Sequence, residues 1–393
     1  MAKYRFGDIC KVLNGRAYKQ NELLASGKYP ILRVGNFFSS DRWYYSDMEL
    51  PEDKYCDYED LLFAWSASFG PKIWDGEKVI YHYHIWKLIP NDDIADKWYL
   101  YYWLRHSVNR LTVGTHGSVM AHMTKGDMEN QSIELPSLQT QRKISSILRT
   151  IDEKIHNNVA INNNLEQQAQ ALFKSWFVDF EPFGGVQPSE MQFIPLQELC
   201  KVVTKGTTPT TLGKSFTSSG INFIKAESIL NNHSIDSSKF AFIDEETNAL
   251  LKRSVIKAND IIFTIAGTLG RFAMVDNSVL PANTNQAVAI IRPDETKVTP
   301  AYLYSFFIGN WHNEYYSKRI QQAVQANLSL TTIKSLPIAV LNNTTMSNYD
   351  KLVSPLFVLM KNNEEENRRL SKLRDALLPK LMSGELDVSN IEL

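Results

Sequence analysis

The apolar positions change their period twice along the chain. Up to about residue 136, short apolar runs alternate with turn signals. Residues 61–64 and 80–88 read as strands, because short β-branched or aromatic runs between turn residues suit a pleated surface. Residues 98–105 are aromatic-rich and read as a buried helix. Gly70-Pro71, Asp75-Gly76, Pro90-Asn91 and Ser219-Gly220 mark turns. From residue 138 to 177 the period becomes helical, with no Gly or Pro. Ile144, Leu148, Ile151, Ile155, Asn158, Asn162, Leu165, Ala169, Leu172 and Trp176 step alternately by four and three, an unbroken heptad seam. At ~1.5 Å per residue this stretch makes a rod of about 60 Å. Strands then return at 261–264 and 287–291, with a second aromatic helix at 301–308. The seam returns as Tyr349, Val353, Leu356, Met360, Asn363, Asn367, Leu370, Arg374, Leu377 and Leu381. Pro355 and Pro379 interrupt this stretch, each marking a start, a stop or a kink.

The chain is thus written twice. Asp60-Leu61-Leu62-Phe63 recurs as Asp260-Ile261-Ile262-Phe263, and Tyr99-Leu100-Tyr101 as Tyr302-Leu303-Tyr304. Ile9-Cys10-Lys11-Val12 recurs as Leu199-Cys200-Lys201-Val202, and Asn157-Asn158 as Asn362-Asn363. The offset grows from 190 to 205, so order is kept and the second copy has the longer loops. A repeat this long means two domains rather than a solenoid. The fold class expected is α+β: two similar globular domains and two long helices forming an antiparallel coiled coil, as a pseudo-twofold internal repeat.

Composition narrows the classes. At 393 residues and 44% hydrophobic, each copy can bury a sizeable core. Net charge is −1 overall, −2 over 1–136 and +1 over 181–340. No polycationic coat is present, although a neutral protein can carry a local basic face. The three cysteines form no disulfide framework. Cys10 and Cys200 follow apolar residues at equivalent places and read as buried free thiols, which suits a reducing cytosol. No apolar run approaches ~20 residues, so no membrane span is expected and a cytoplasmic protein is.

Catalytic patterns come close without closing. Gly206 to Gly213-Lys214-Ser215 has six residues between its glycines where a phosphate loop needs four. Asp294 and Glu295 sit adjacent in a polar turn, whereas a metal-dependent nuclease needs carboxylates on converging elements. His82 and His84 share one face of the expected 80–88 strand with no third ligand at metal spacing, so a structural pair is expected. No catalytic residue, metal or cofactor is assigned.

What remains is loop chemistry at matching places. Arg33 and Asn36 match Lys225 and Ser228, just after a strand. Lys72 and Arg271 follow the repeated strand and its Gly. Ser118 and His122 match Ala323 and Asn327, near Gln322 and Gln325. Arg, Lys, Asn, Gln and Ser are the types that read base edges or hold phosphates. Arg33, Asn36, Lys72, Ser118, His122, Lys225, Ser228, Arg271, Gln322, Gln325 and Asn327 are therefore the candidate DNA-binding residues.

Three tracts carry a family resemblance. Leu135-Pro136-Ser137-Leu138-Gln139-Thr140-Gln141-Arg142-Lys143-Ile144 opens the first long helix. Leu172-Phe173-Lys174-Ser175-Trp176-Phe177-Val178-Asp179-Phe180-Glu181-Pro182 ends it. Leu373-Arg374-Asp375-Ala376-Leu377-Leu378-Pro379-Lys380-Leu381-Met382-Ser383-Gly384-Glu385-Leu386 ends the second. With these tracts the whole chain resembles the specificity subunits of type I restriction–modification systems. The resemblance implies a first target-recognition domain at 1–136, a spacer helix at 137–180 and a linker at 181–192. It implies a second recognition domain at 193–340, and a second helix with its tail at 341–393. It further implies that each domain reads half of a bipartite, asymmetric site on double-stranded DNA. The helices would dock two methylation subunits, motor-nuclease (restriction) subunits being optional partners. Chemistry and cofactors would belong to those partners, leaving this chain non-catalytic. One departure stands out: Thr344, Thr345, Met346 and Ser347 replace the Gln-Arg-Lys-Ile stretch, so the second helix is expected to fray or to begin near 347. On the residues alone, a protein-binding coiled-coil adaptor and an enzyme with an unrecognised site are the rival classes.

The seam also predicts a register. With Asn158 and Asn363 at d, and Asn162 and Asn367 at a, an antiparallel pair sets Asn162 on Asn363 and Asn158 on Asn367; both pairs sum to 525. Leu165 then meets Met360, Leu148 meets Leu377, and Ile151 meets Arg374, whose charge must reach solvent along its stem. The two domains are expected at opposite ends of the rod. Asn162→Leu is expected to raise stability while loosening register.

Overall fold

The computed structural model describes residues 1–38, 42–66, 68–112, 123–311, 328–388 and 391. They fall into two compact units, Met1–Ile155 with Arg368–Leu393, and His156–Asn367. The boundary crosses both long helices, so each unit holds one globular domain and a stretch of each helix.

In the first unit, Cys10–Asn14, Ile85–Pro90, Leu61–Ser66 and Ser68–Ile73 form a four-stranded antiparallel sheet in that order. A second sheet runs Tyr45–Ser46, Tyr29–Leu32, Val79–Tyr81, Tyr55–Cys56, its central pair parallel. Ala2–Arg5 pairs with Ser132–Leu135 just before the long helix begins. The second unit repeats this. Cys200–Lys205, Val288–Pro293, Ile261–Thr264 and Phe272–Met274 make the antiparallel sheet. Ala241–Ile243, Ile221–Ile224 and Ala282–Thr284 make the mixed one, and Gln192–Pro195 pairs with Pro337–Val340. The repeated Asp has a local reason. Asp60 and Asp260 each accept the backbone N–H of the residue three before them, at 2.7 and 2.8 Å. Each follows a residue in the left-handed region, Glu59 and Asn259, both at φ 64°. Each also holds a cation, Lys87 at 2.6 Å and Arg292 at 2.6 Å.

The strand expected at 80–88 is two strands. Val79–Tyr81 belongs to the mixed sheet and Ile85–Pro90 to the antiparallel one, and the chain changes sheet through a turn at 82–84. The aromatic helices run Lys97–Thr112 and Pro300–Ile308.

The first long helix spans Leu138–Phe177. Ser137 caps it, its hydroxyl accepting the Thr140 N–H at 3.2 Å. Gln141 is buried and serves the loop beside it, donating to the Ile94 and Pro136 carbonyls and accepting the Asp96 N–H. In the second copy Met346 stands at that place and packs on the core instead. The second helix nevertheless starts early, at Asn343, and runs to Ser383 through Pro355 and Pro379. Asn342 caps it through the Thr345 N–H at 2.9 Å, the place that Ser137 holds in the first copy. A delayed start near 347 is therefore corrected, because a different capping side chain does the same work.

The seam faces the cores, its residues buried or half-buried. Leu148 and Ile144 join Phe63, Trp86 and Leu100 in the first core, together with Leu381 and Met382. Leu165, Ala169 and Phe173 join Phe263, Leu303, Val353 and Met360 in the second. Asn363 donates to Asn162 at 2.8 Å and Asn158 to Asn367 at 2.9 Å, so the helices are antiparallel in the expected register. Arg374 departs from expectation. Its charge does not run out to water but is held by Asp152 at 2.7 Å, which also accepts the Tyr102 hydroxyl at 2.8 Å. Among the described residues no helix is long and apolar enough to cross a membrane. Cys10 and Cys56 are buried free thiols, while Cys200 is only half-buried.

Candidate nucleic-acid interface

In the first unit Arg33 and Asn36 lie where the mixed sheet ends, and Lys72 lies on the edge strand Ser68–Ile73 of the antiparallel sheet. Tyr29–Leu32 runs into Arg33, whose carbonyl accepts the Phe37 N–H of a short helix at Val34–Phe38. The guanidiniums of Arg33 and Arg42 both stand over the Tyr44 ring, at 5.2 and 5.1 Å. Asn36 holds this arrangement, its amide donating to the Arg42 carbonyl at 2.8 Å. Arg16 makes a two-pronged pair with Glu22 at 2.8 and 2.9 Å, which pulls the Glu22 carboxyl down to about 2, and it also stands over Tyr18. Lys72 lies over Trp74 and reaches Asp75 at 3.4 Å. These cations sit in pairs with partly exposed carboxylates or over rings, weak arrangements that an incoming phosphate can replace.

His82 and His84 lie in the turn between the sheets, not on a strand. His82 Nδ1 accepts the His84 backbone N–H at 3.4 Å. Burial, then His84 and Arg33, pull His82 down to about 4, so it is neutral near neutral pH. Among the described residues no cluster of three or more His, Cys, Asp or Glu could hold a metal ion. Tyr83, at the turn's tip, packs against both imidazoles and Trp65.

In the second unit the equivalents are divided. Lys225 is paired with Glu227 at 2.9 Å near the surface. Ser228 is fully buried and donates to the Lys239 carbonyl at 3.3 Å, so it supports the fold and cannot meet a ligand here. Arg271 is spent partly inward, donating to the Ile229 carbonyl at 3.2 Å. Lys214, from the phosphate-loop lookalike, pairs with Glu246 at 2.7 Å. Asp294 takes the N–H and hydroxyl of Thr296 in a solvated turn. Ser118, His122, Gln322, Gln325 and Asn327 lie outside the described residues.

Sequence reasoning did not single out Arg16, Tyr83, Arg253, Thr208 and Gln286. Arg253 donates to the Thr207 hydroxyl at 3.3 Å, and Thr208 hydrogen-bonds Gln286. The missed signal was available: the offset of 203 that aligns Tyr99 with Tyr302 also sets His82-Tyr83-His84 on Asn285-Gln286-Ala287.

Comparisons with known proteins show the family. A family model described as type I restriction modification DNA specificity domain matches residues 1–167 and 188–340. The type I restriction enzyme MjaIX specificity subunit of Methanocaldococcus jannaschii is 27% identical over 325 residues, covering 77% of this chain and 72% of that protein. The EcoBI specificity subunit of Escherichia coli is 21% identical over 405 residues, covering 96% and 84%. The fold is shared with the crystal structure of a type I restriction–modification S subunit from M. genitalium, at a TM-score of 0.59 and 16% identity, covering 97% of this chain and 95% of that one.

Proposed function

Since the chain belongs to the type I restriction–modification DNA specificity family, we propose that each of its globular domains, 1–136 and 193–340, reads one half of a bipartite, asymmetric site on double-stranded DNA. The observation that carries this reading is one topology built twice with different loop chemistry. Arg33 and Asn36 stand where Lys225 and Ser228 stand, and the strand after Leu61–Ser66 begins at Ser68 whereas the one after Ile261–Thr264 begins only at Phe272. Arg16, Arg33, Lys72, Lys225 and Arg253 supply the phosphate contacts that set affinity, while loop tips facing the grooves set sequence. Ser118, His122, Gln322, Gln325 and Asn327 are further candidates for reading bases.

The helices at 137–180 and 341–393 dock two methylation subunits, with restriction subunits optional; the linker at 181–192 leads from the first helix into the second domain. Support comes from apolar side chains left in water: Ile161 is 44% exposed, Val358 59% and Leu359 45%. The chain is non-catalytic, needs no cofactor of its own and works in the cytoplasm on host DNA. Methylation-resolved sequencing of the host genome, with and without this chain, tests the reading. The expected result is one bipartite, non-palindromic motif whose methylation disappears with the chain. A palindromic motif, or none, overturns it.

A further inference from the structure

The turn joining the two sheets is built alike in both domains. In the first, His82 Nδ1 accepts the His84 N–H at 3.4 Å and the His82 carbonyl accepts the Ile85 N–H at 2.9 Å. In the second, Asn285 Oδ1 accepts the Ala287 N–H at 3.1 Å and its carbonyl accepts the Val288 N–H at 3.3 Å. A glycine backs the turn each time. A Cβ on Gly15 would lie 2.4 Å from the His82 carbonyl oxygen, and one on Gly206 would lie 1.9 Å from that of Thr284. The backbone of the turn is therefore held from behind, and only its middle side chain differs freely. That residue is Tyr83, 38% exposed, in one domain and Gln286, exposed, in the other.

Both tips are braced. Tyr83 packs at 3.9 Å on the His84 ring and 4.5 Å on His82, and Trp65 Nε1 donates to its carbonyl at 2.8 Å. Gln286 is exposed and has its carbonyl oxygen engaged by the Thr208 hydroxyl, so its amide N–H pair is the group it can offer a ligand. Arg16 lies beside the first tip, its carbonyl accepting the Tyr83 N–H at 3.0 Å. Arg253 and Lys205 lie beside the second, the Arg253 guanidinium donating to the Lys205 carbonyl at 3.4 Å. A preorganised side chain between phosphate-holding cations loses little entropy on binding.

We infer that this turn is the base-reading tip of each domain, with Tyr83 and Gln286 the specificity-determining residues. The inference rests on the reading under Proposed function. The amide N–H pair of Gln286 selects an acceptor on a base edge, such as guanine O6 or N7, adenine N7 or thymine O4. Tyr83 offers a phenol hydroxyl and a rigid ring in its place. Two tips of different chemistry on one scaffold make the two half-sites different.

The test is selection from a randomised duplex library by the full chain co-expressed with its methylation subunits, read by sequencing the bound pool. Gln286→Ala should relax discrimination in one half-site by roughly 5- to 150-fold and leave the other intact. Tyr83→Ala should do the reverse. Gln286→Glu, nearly the same in shape, should move the preference from acceptor-bearing to donor-bearing edges. Matching melting temperatures certify the variants as folded. If wild type selects a site and all three variants return the same pool, or lose affinity evenly at every position, the tips do not read bases. If wild type selects nothing, the underlying DNA-reading proposal fails as well.

Discussion

Asn363 Nδ2 donates to Asn162 Oδ1 across the seam, and Asn162 Nδ2 donates to the Met360 carbonyl at 3.0 Å. That arrangement reverses the simple expectation for Asn162→Leu. The substitution strands the half-buried Asn363 amide, and an unpaired buried donor costs up to about 1–3 kcal/mol. Asn162→Leu should therefore lower the unfolding free energy by that much. Asn162→Leu with Asn363→Leu should recover most of it, since no donor is left unpaired. Urea unfolding of the two variants decides the point. His82 carries a second residue-scale prediction. Its folded value of about 4 lies below the ordinary 6.5, so the fold prefers the neutral ring. Between these values the unfolded chain binds the extra proton, and stability falls as pH drops through that window. The contribution is fully present above about 6.5. His82→Asn should remove this part of the pH dependence while keeping the turn, because Asn285 accepts the equivalent N–H in the other domain. Melting temperatures from pH 7.5 down to 4 for variant and parent test it, and parallel curves would count against it.

At the scale of elements, close approach explains which glycines matter. Gly206→Ala has nowhere to place its methyl beside the Thr284 carbonyl, so it should cost roughly 1–3 kcal/mol or more. Gly126 lies in the helix Lys125–Glu129, with nothing nearer to an added Cβ than Thr124 Oγ1 at 3.8 Å. Gly126→Ala should stabilise by about 0.5–1 kcal/mol through helix propensity. Opposite signs in thermal melts are the expected result. The same scale separates what the sequence makes legible from what it hides. A 3.5-residue period sustained over many turns determines both helices and their register, because each Asn needs a partner. The turn at 82–84 is invisible to pattern reading. His-Tyr-His carries no Gly, Pro or Asn signal, and its shape shows only beside Asn285-Gln286-Ala287. Arg271 and Ser228 are of the right chemical type for DNA, yet tertiary neighbours, the Ile229 and Lys239 carbonyls, turn them inward. A single sequence cannot show which polar side chain the fold has already engaged.

At the scale of the molecule, the second helix ends where the first domain needs it. Residues Arg368–Leu393 belong to the unit that begins at Met1, although the second domain lies between them in sequence. Leu378, Leu381, Met382 and Val388 sit in one core with Phe6, Phe63 and Leu148, and Arg374 neutralises Asp152 beneath the Tyr102 hydroxyl. Burying a large apolar side chain is worth about 1.5–3 kcal/mol. Four such losses are together comparable to the 5–15 kcal/mol that holds a typical domain folded. Deleting residues 368–393 should therefore unfold the first domain, which is remote in sequence. The second unit, His156–Asn367, keeps the core built from Leu165, Phe173, Tyr349 and Met360 and should stay folded. Hydrogen exchange read by mass spectrometry on the truncated chain distinguishes the cases. Protection should vanish from the strands Leu61–Ser66 and Ile85–Pro90 and persist in Ile261–Thr264 and Val288–Pro293. Loss in the second set, or protection retained in the first, would show that the closing helix does not serve the domain with which it shares a core.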